Sequence, residues 1–204
     1  MKRACALCNF PKDRLLGETT SYIVGVCVGP LVEGHVMVFP KKHGTGLIDL
    51  ARDKLETLEE IKTALRVILS RDYGKVLFYE HGHHGDDSRE MYHGHAHLHA
   101  VPTGVDISHL LDEEGWTPLY ATYPQMLSIQ GEYLFYEGPK ETSRFYCIEK
   151  QLRTQLVRNI TAHAIRMPIK QADWRHYPRY DLVERTKEKL GERVRQLCLD
   201  LAQK

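Results

Sequence analysis

Apolar residues alternate along some stretches of this chain and recur every three or four positions in others, and the two rhythms mark strands and helices. Residues 21–28, Ser-Tyr-Ile-Val-Gly-Val-Cys-Val, form a β-branched run suited to a strand. A link bracketed by Gly29-Pro30 and Glu33-Gly34 leads to a second strand at 35–39, stopped by Pro40. The short link predicts antiparallel neighbours. Leu55, Leu58, Ile61, Leu65 and Ile68 then repeat at helical steps among charged residues, predicting an amphipathic helix capped by Asp49. A third strand falls at 75–79 and a fourth at 92–101, ended by Pro102, with a polar, Gly- and His-rich loop at 80–90 between them.

The second half is less regular. Residues 103–131 carry little periodicity and predict a segment wandering over the surface, while 132–136 and 144–148 predict paired strands around the Gly138-Pro139 turn. Ile148, Leu152, Leu156 and Ile160 sit at step four and predict another helix; Leu190, Val194, Leu197 and Leu201 predict a terminal one. The sum is an α+β fold, whose first half suits a half-barrel-like antiparallel sheet with helices on one side.

Composition narrows the function classes. With 204 residues, 42% of them hydrophobic, the chain can build a core without disulfides. Its 28 Lys and Arg balance 27 Asp and Glu, so there is no overall basic field and a role coating nucleic acid is disfavoured. The five cysteines, odd in number and irregularly spaced, do not make a secreted disulfide framework. Two basic residues near Met1 with no apolar run after them are not a signal-peptide pattern, and no stretch approaches the roughly twenty apolar residues of a membrane span. These features predict a soluble protein of the reducing cytoplasm with no membrane partner.

The segment 93–101, His-Gly-His-Ala-His-Leu-His-Ala-Val, holds four of the twelve histidines. In an extended strand the histidines share one face and Ala96, Leu98 and Ala100 share the other. Imidazoles two residues apart lie roughly 6–7 Å from each other, so several can converge on one small anionic group as nucleophile, acid, base, ligand or donor. The plainer alternative is an edge strand whose histidines meet solvent. Against it, histidine fills every outward position from 93 to 99 opposite a strictly small or apolar face.

His95-Ala96-His97-Leu98-His99-Ala100-Val101 resembles the signature of the histidine triad superfamily of nucleotide hydrolases and transferases. The stretch from Gly34 through His35, Pro40 and Lys41 to His43 resembles that family's other sheet segment. The resemblance covers residues 1–102 well and the rest poorly, and Glu80-His81-Gly82 points to a prokaryotic-type member. It implies a triad-type catalytic domain over 1–125, with a strand-and-helix extension over 126–204 packed on it. It further implies that His97 attacks the α-phosphorus of a nucleotide ester, anhydride or amidate, and that water then cleaves the nucleotidyl-histidine. His99 becomes the phosphate partner and favours hydrolysis, since transferring relatives carry glutamine at that place. Where many members have a phosphate-binding Gln before the triad, this chain has Glu90-Met91. His81, Ser88, Arg89 or His93 is then its replacement. Tyr22 and Ile23 are candidates for the nucleoside pocket, with ordinary core packing the equal alternative for either, and because they alternate faces at most one lines it. A homodimer is a further implication.

Cys5-Ala6-Leu7-Cys8 is spaced as two thiolates of a tetrahedral zinc site, with a redox pair as the alternative. The resemblance adds His43 and His95 as the other two ligands and makes the zinc structural. Cys27, Cys147 and Cys198 read as packed thiols. His83 and His84 with Asp86 and Asp87 form either a metal site or a polar loop near the phosphate pocket, and Trp174, Arg175 and Tyr177 read as a docking segment of the extension. The leading function is a nucleotide hydrolase acting on dinucleoside polyphosphates or adenylated small molecules. Its rivals are a nucleotidyltransferase or phosphorylase of the same superfamily, a zinc-dependent hydrolase, and a nucleotide-binding partner protein.

Overall fold

The computed structural model describes residues 5–85, 94–126, 129–149, 152–153 and 155–203. In chain order the elements are strands Leu15–Glu18 (β1), Tyr22–Val26 (β2) and Val36–Pro40 (β3), helix Arg52–Tyr73 (α1), strands Val76–His84 (β4) and Leu98–Pro102 (β5), and the short helix Ser108–Asp112 (α2). Strands Pro118–Leu119 (β6), Gly131–Glu137 (β7) and Ser143–Cys147 (β8) follow, then helices Leu156–Ala164 (α3) and Tyr180–Ala202 (α4). All eight strands join one antiparallel sheet in the order β1-β2-β3-β5-β4-β7-β8-β6.

Alternation decides which face each side chain takes. Val24, Val38, Phe78, Leu98, Ala100 and Phe135 share the main core with α1 and α4. From the opposite face Leu77, Tyr79, Val101, Tyr136 and Tyr146 pack with α2 and α3, and Met37 and Phe39 with the N-terminal Leu7 and Phe10. Helices therefore cover both faces of the sheet, α1 and α4 one and α2 and α3 the other. No helix among the described residues is long and apolar enough to cross a membrane.

The α1 face runs Leu55, Leu58, Ile61, Leu65 and Leu69; the 3.6-residue turn carries the buried stripe to Leu69, leaving Ile68 partly covered. Asp49 does not cap this helix. It closes a 3-10 turn, Leu47–Asp49, and its carboxylate binds His84 Nδ1 and, at 3.4 Å, the Gly85 amide. The expected loop at 80–90 begins as strand, because β4 continues to His84 in register with β7. Residues 103–131 do not merely wander: they hold α2, β6 and a fully buried Tyr123. Ile148 lies outside α3, its amide bound to the Glu132 carbonyl, and the left-handed φ of 60° at Gln155 delays the helix to Leu156.

Two buried carboxylates tie the layers together. Glu137 on β7 meets Lys62 Nζ of α1 at 2.8 Å and also binds Arg66 and Ser143. Burial alone would raise its carboxyl, but Lys62, Ser143 and Arg66 hold it below its ordinary value. Glu137→Ala strands a buried ammonium and is expected to cost about 3–5 kcal/mol. The lower end is favoured because Glu59 Oε2 still reaches Lys62 Nζ at 2.7 Å. Urea unfolding reads this directly, and a loss under about 1 kcal/mol refutes the assignment.

Glu80 on β4 accepts from the Leu47 amide and from the Tyr123 and Tyr133 hydroxyls, each at 2.8 Å. Its complete burial outweighs these donors and pushes its pKa up to about 8. The folded chain thus holds a proton that the unfolded chain releases. Stability is fully present below the ordinary carboxylate range and falls as pH rises to about 8. Glu80→Gln keeps an acceptor and removes that slope. Its Tm relative to the parent is expected to rise between pH 5 and pH 9, and parallel profiles would refute the protonated carboxyl.

Candidate active site and metal centre

The approach to β5 departs from the expected long strand. Residues 94–97 precede the ladder, and the Ala96 amide donates to the Gly44 carbonyl at 2.7 Å. The alternation nevertheless persists: Ala96, Leu98 and Ala100 enter the α1 core, while His95, His97 and His99 take the other face. The Tyr79 ring, paired across the ladder, stacks on His99 with centroids 4.5 Å apart.

Hydrogen bonding fixes the proton positions. His97 Nδ1 lies 2.7 Å from the His95 carbonyl, which can only accept, so Nδ1 carries the hydrogen and Nε2 the lone pair. The Leu31 amide donates to His35 Nδ1 at 3.1 Å, so neutral His35 carries its hydrogen on Nε2. That nitrogen sits 2.9 Å from His99 Nδ1 and donates to it, leaving the His99 hydrogen on Nε2. The His97 and His99 rings meet edge to face at 4.7 Å. A lone pair and an N–H are therefore adjacent.

Burial favours the uncharged form of all three rings. His97 is lowered by burial, more than the His95 carbonyl offsets. His35 and His99 are pushed well below the ordinary imidazole value, first by burial and then by neighbouring positive charge, Arg158 among it. His81 on β4 binds Glu132 Oε1 at 2.6 Å and lies close enough to His97 to depress its protonation. Ser88, Arg89 and His93, the other candidates for the missing Gln, lie outside the described residues, as do Asp86 and Asp87.

Tyr22 and Ile23 separate as alternation requires. Tyr22 is buried in the main core, its hydroxyl donating to the Lys54 carbonyl at 2.8 Å, which is the core-packing alternative. Ile23 packs beside Met37 and Phe39 on the histidine face.

The N-terminal cysteines reach the same face. The donor atoms of Cys5, Cys8, His43 and His95 all lie within 4.8 Å of one another. His95 Nδ1 is 3.5 Å from both sulfurs, and Cys8 Sγ is 3.4 Å from His43 Nδ1. A tetrahedron with zinc–sulfur bonds near 2.3 Å and zinc–nitrogen bonds of 2.0–2.1 Å has sulfur–nitrogen edges of roughly 3.5 Å, so the residues fit the ion. His95 Nε2 donates to the Pro40 carbonyl at 2.8 Å, the outer hydrogen bond that fixes a ligating imidazole. Cys27, His35 and His99 form a second group of donors, the first two buried and His99 half-buried, with Arg158 Nη1 3.8 Å from Cys27 Sγ.

Two participants escaped the reading of the sequence. His35 stands immediately before the apolar run at 36–39, a visible signal, yet nothing local assigns it a role. Arg158 had no such signal. It is one basic residue between apolar helix positions, and the fold alone brings it to Cys27, 131 positions away.

The family described as "Protein similar to CwfJ C-terminal" matches residues 10–114. No curated protein matches the chain significantly. Among solved structures, a zinc-bound histidine triad family protein from Mycobacterium smegmatis is 20% identical over 48% of this chain and 74% of its own, with a TM-score of 0.35. A hypothetical protein from Leishmania major is 18% identical, covering 56% and 94%, with a TM-score of 0.39. A histidine triad nucleotide-binding protein from Candida albicans is 20% identical, covering 55% and 93%, with a TM-score of 0.35. These likenesses are distant and partial.

Proposed function

The chain belongs to the family of proteins similar to the CwfJ C-terminal region, and from that premise we propose that it is a nucleotide-handling enzyme, a hydrolase or transferase working at a phosphoryl centre. Within that class our reading is hydrolysis at the α-phosphorus of dinucleoside polyphosphates or adenylated small molecules. The observation that carries it is the His97 ring, with Nδ1 held by the His95 carbonyl and the Nε2 lone pair beside the proton-bearing nitrogen of His99.

In the first step the Nε2 lone pair forms a bond to the α-phosphorus as the bond to the leaving oxygen or nitrogen breaks. The leaving group takes up a proton, for which the His99 N–H is the adjacent donor. The nucleotidyl-His97 imidazolium keeps its Nδ1 hydrogen on the His95 carbonyl, which offsets its charge. Water then attacks phosphorus as the His99 Nε2 takes up one of its protons, the N–P bond breaks, and nucleoside monophosphate leaves with His97 and His99 both restored. In this reading residues 1–125 carry the chemistry, and 126–204 form the extension packed on it.

Zinc is the ion that Cys5, Cys8, His43 and His95 suit. Four protein donors close a tetrahedron and leave no open position for substrate, which favours a structural role over metal catalysis. The Cys27, His35 and His99 group is less suited to a cation, because the Arg158 guanidinium already stands beside it.

A panel of dinucleoside polyphosphates, nucleotide sugars and adenylated amides, read by monophosphate release with and without an added phosphate acceptor, tests the proposal. Label trapped on His97 with monophosphate as product supports hydrolysis. Product appearing only with the acceptor favours the transferase. Binding without turnover above about 0.01 per second, far below usual enzymes, favours a binding protein.

A further inference from the structure

Arg158 projects from α3 and is buried, yet no carboxylate pairs with it among the described residues. Its Nε donates to the Ala172 carbonyl, its Nη2 to the Gly29 carbonyl, and its Nη1 lies 3.8 Å from Cys27 Sγ. A guanidinium out of water without a counter-ion is costly, so its grip on this loop calls for a reason.

The gripped loop, residues 27–31, carries the amide that sets the His35 ring. Gly29 has a φ of +65°, and a Cβ there would stand 2.7 Å from the Trp174 Cβ and 2.8 Å from the Tyr177 carbonyl oxygen. Leu31 packs on Ala162 and Ala172. The extension therefore seats the loop, Arg158 pins its carbonyl, the Leu31 amide fills His35 Nδ1, and His35 Nε2–H fills His99 Nδ1. What emerges at the far end is the proton on His99 Nε2.

We propose that Arg158 is a positioning residue of the histidine centre: from the extension it fixes the 27–31 loop and so selects the tautomers of His35 and, through it, of His99. The same guanidinium opposes protonation of the pair. The other groups facing the two rings are His97, Tyr79 and Cys27, with Arg14 bound to the Cys27 carbonyl at 3.3 Å. Burial raises the Cys27 thiol despite both arginines, so it supplies no counter-charge. The proposal deepens the reading of His99 as proton-bearing partner of His97. Its test needs no turnover, so its failure is separable from that of the proposed reaction.

The test is ring ¹⁵N NMR of the resting full-length protein, compared among wild type, Arg158→Lys and Arg158→Gln, from about pH 3 to 8, a range that reaches the depressed imidazole midpoints. In the wild type both His35 and His99 are expected as neutral Nε2–H tautomers at pH 7. Arg158→Lys keeps the charge but loses the fork that holds the two carbonyls. Its rings are expected to show mixed tautomers with unchanged midpoints. Arg158→Gln also loses the charge, and its midpoints are expected to move up by about one pH unit. Wild-type tautomers and midpoints in a folded Arg158→Gln protein would overturn the proposal. If that variant does not fold, unmixed tautomers in Arg158→Lys do so, and an Nδ1–H His35 or an imidazolium His99 in the wild type does so without either variant.

Discussion

His97→Asn is expected to lower turnover by about three to six orders of magnitude, the range seen when a covalent nucleophile is removed, while the fold and the zinc stay in place. Asparagine still offers an N–H to the His95 carbonyl, the partner of His97 Nδ1 at 2.7 Å, so the loop before β5 keeps its local bond. What disappears is the Nε2 lone pair. Rapid quench with ³²P-labelled substrate should capture nucleotide on the wild-type chain and none on the variant. Activity within tenfold of wild type would remove His97 as nucleophile. A burst of captured label in the variant would move the role to another ring.

The second large effect concerns the metal. Cys8→Ser or His43→Ala is expected to weaken zinc binding more than about a hundredfold, beyond the loss caused by changing only the outer partners of a ligand. Competition with a chromogenic chelator measures it. Cys8 Sγ meets both histidine nitrogens, at 3.4 and 3.5 Å, and lies within 4.8 Å of Cys5 Sγ, so its loss opens three edges of the tetrahedron. The main core lies on the other face of the sheet and makes no use of these residues, so cooperative unfolding should persist without the ion. The local cost should fall on residues 5–14, as earlier proteolysis there, and on His97, whose acceptor is the His95 carbonyl. Full turnover in a zinc-free, folded variant would separate the metal from the chemistry. An unchanged zinc affinity would refute the ligand set.

The histidine face and the four metal donors were legible in the chain for different reasons. Alternation of His95, His97 and His99 with Ala96 and Leu98 survives even where the ladder does not, because an extended backbone keeps a period of two with or without pairing. The Cys-x-x-Cys pair was legible by spacing, but His43 and His95 entered through resemblance, since nothing local joins residues 35 and 87 positions away from Cys8. The errors fall where a partner element decides. Asp49 looked like a helix cap until His84 took its carboxylate. Residues 80–84 have the composition of a loop, and β7 supplies a ladder for them.

By itself, then, the sequence determined an α+β chain with a histidine-bearing strand, a long amphipathic helix and a thiol pair suited to zinc, because these are written in local period and spacing. Only the tertiary structure decided the second helical face, the buried Glu80 and Glu137, the proton on each ring, and the reach of Arg158 into the centre. Those features depend on which long-range neighbour excludes water or fills a hydrogen-bonding position.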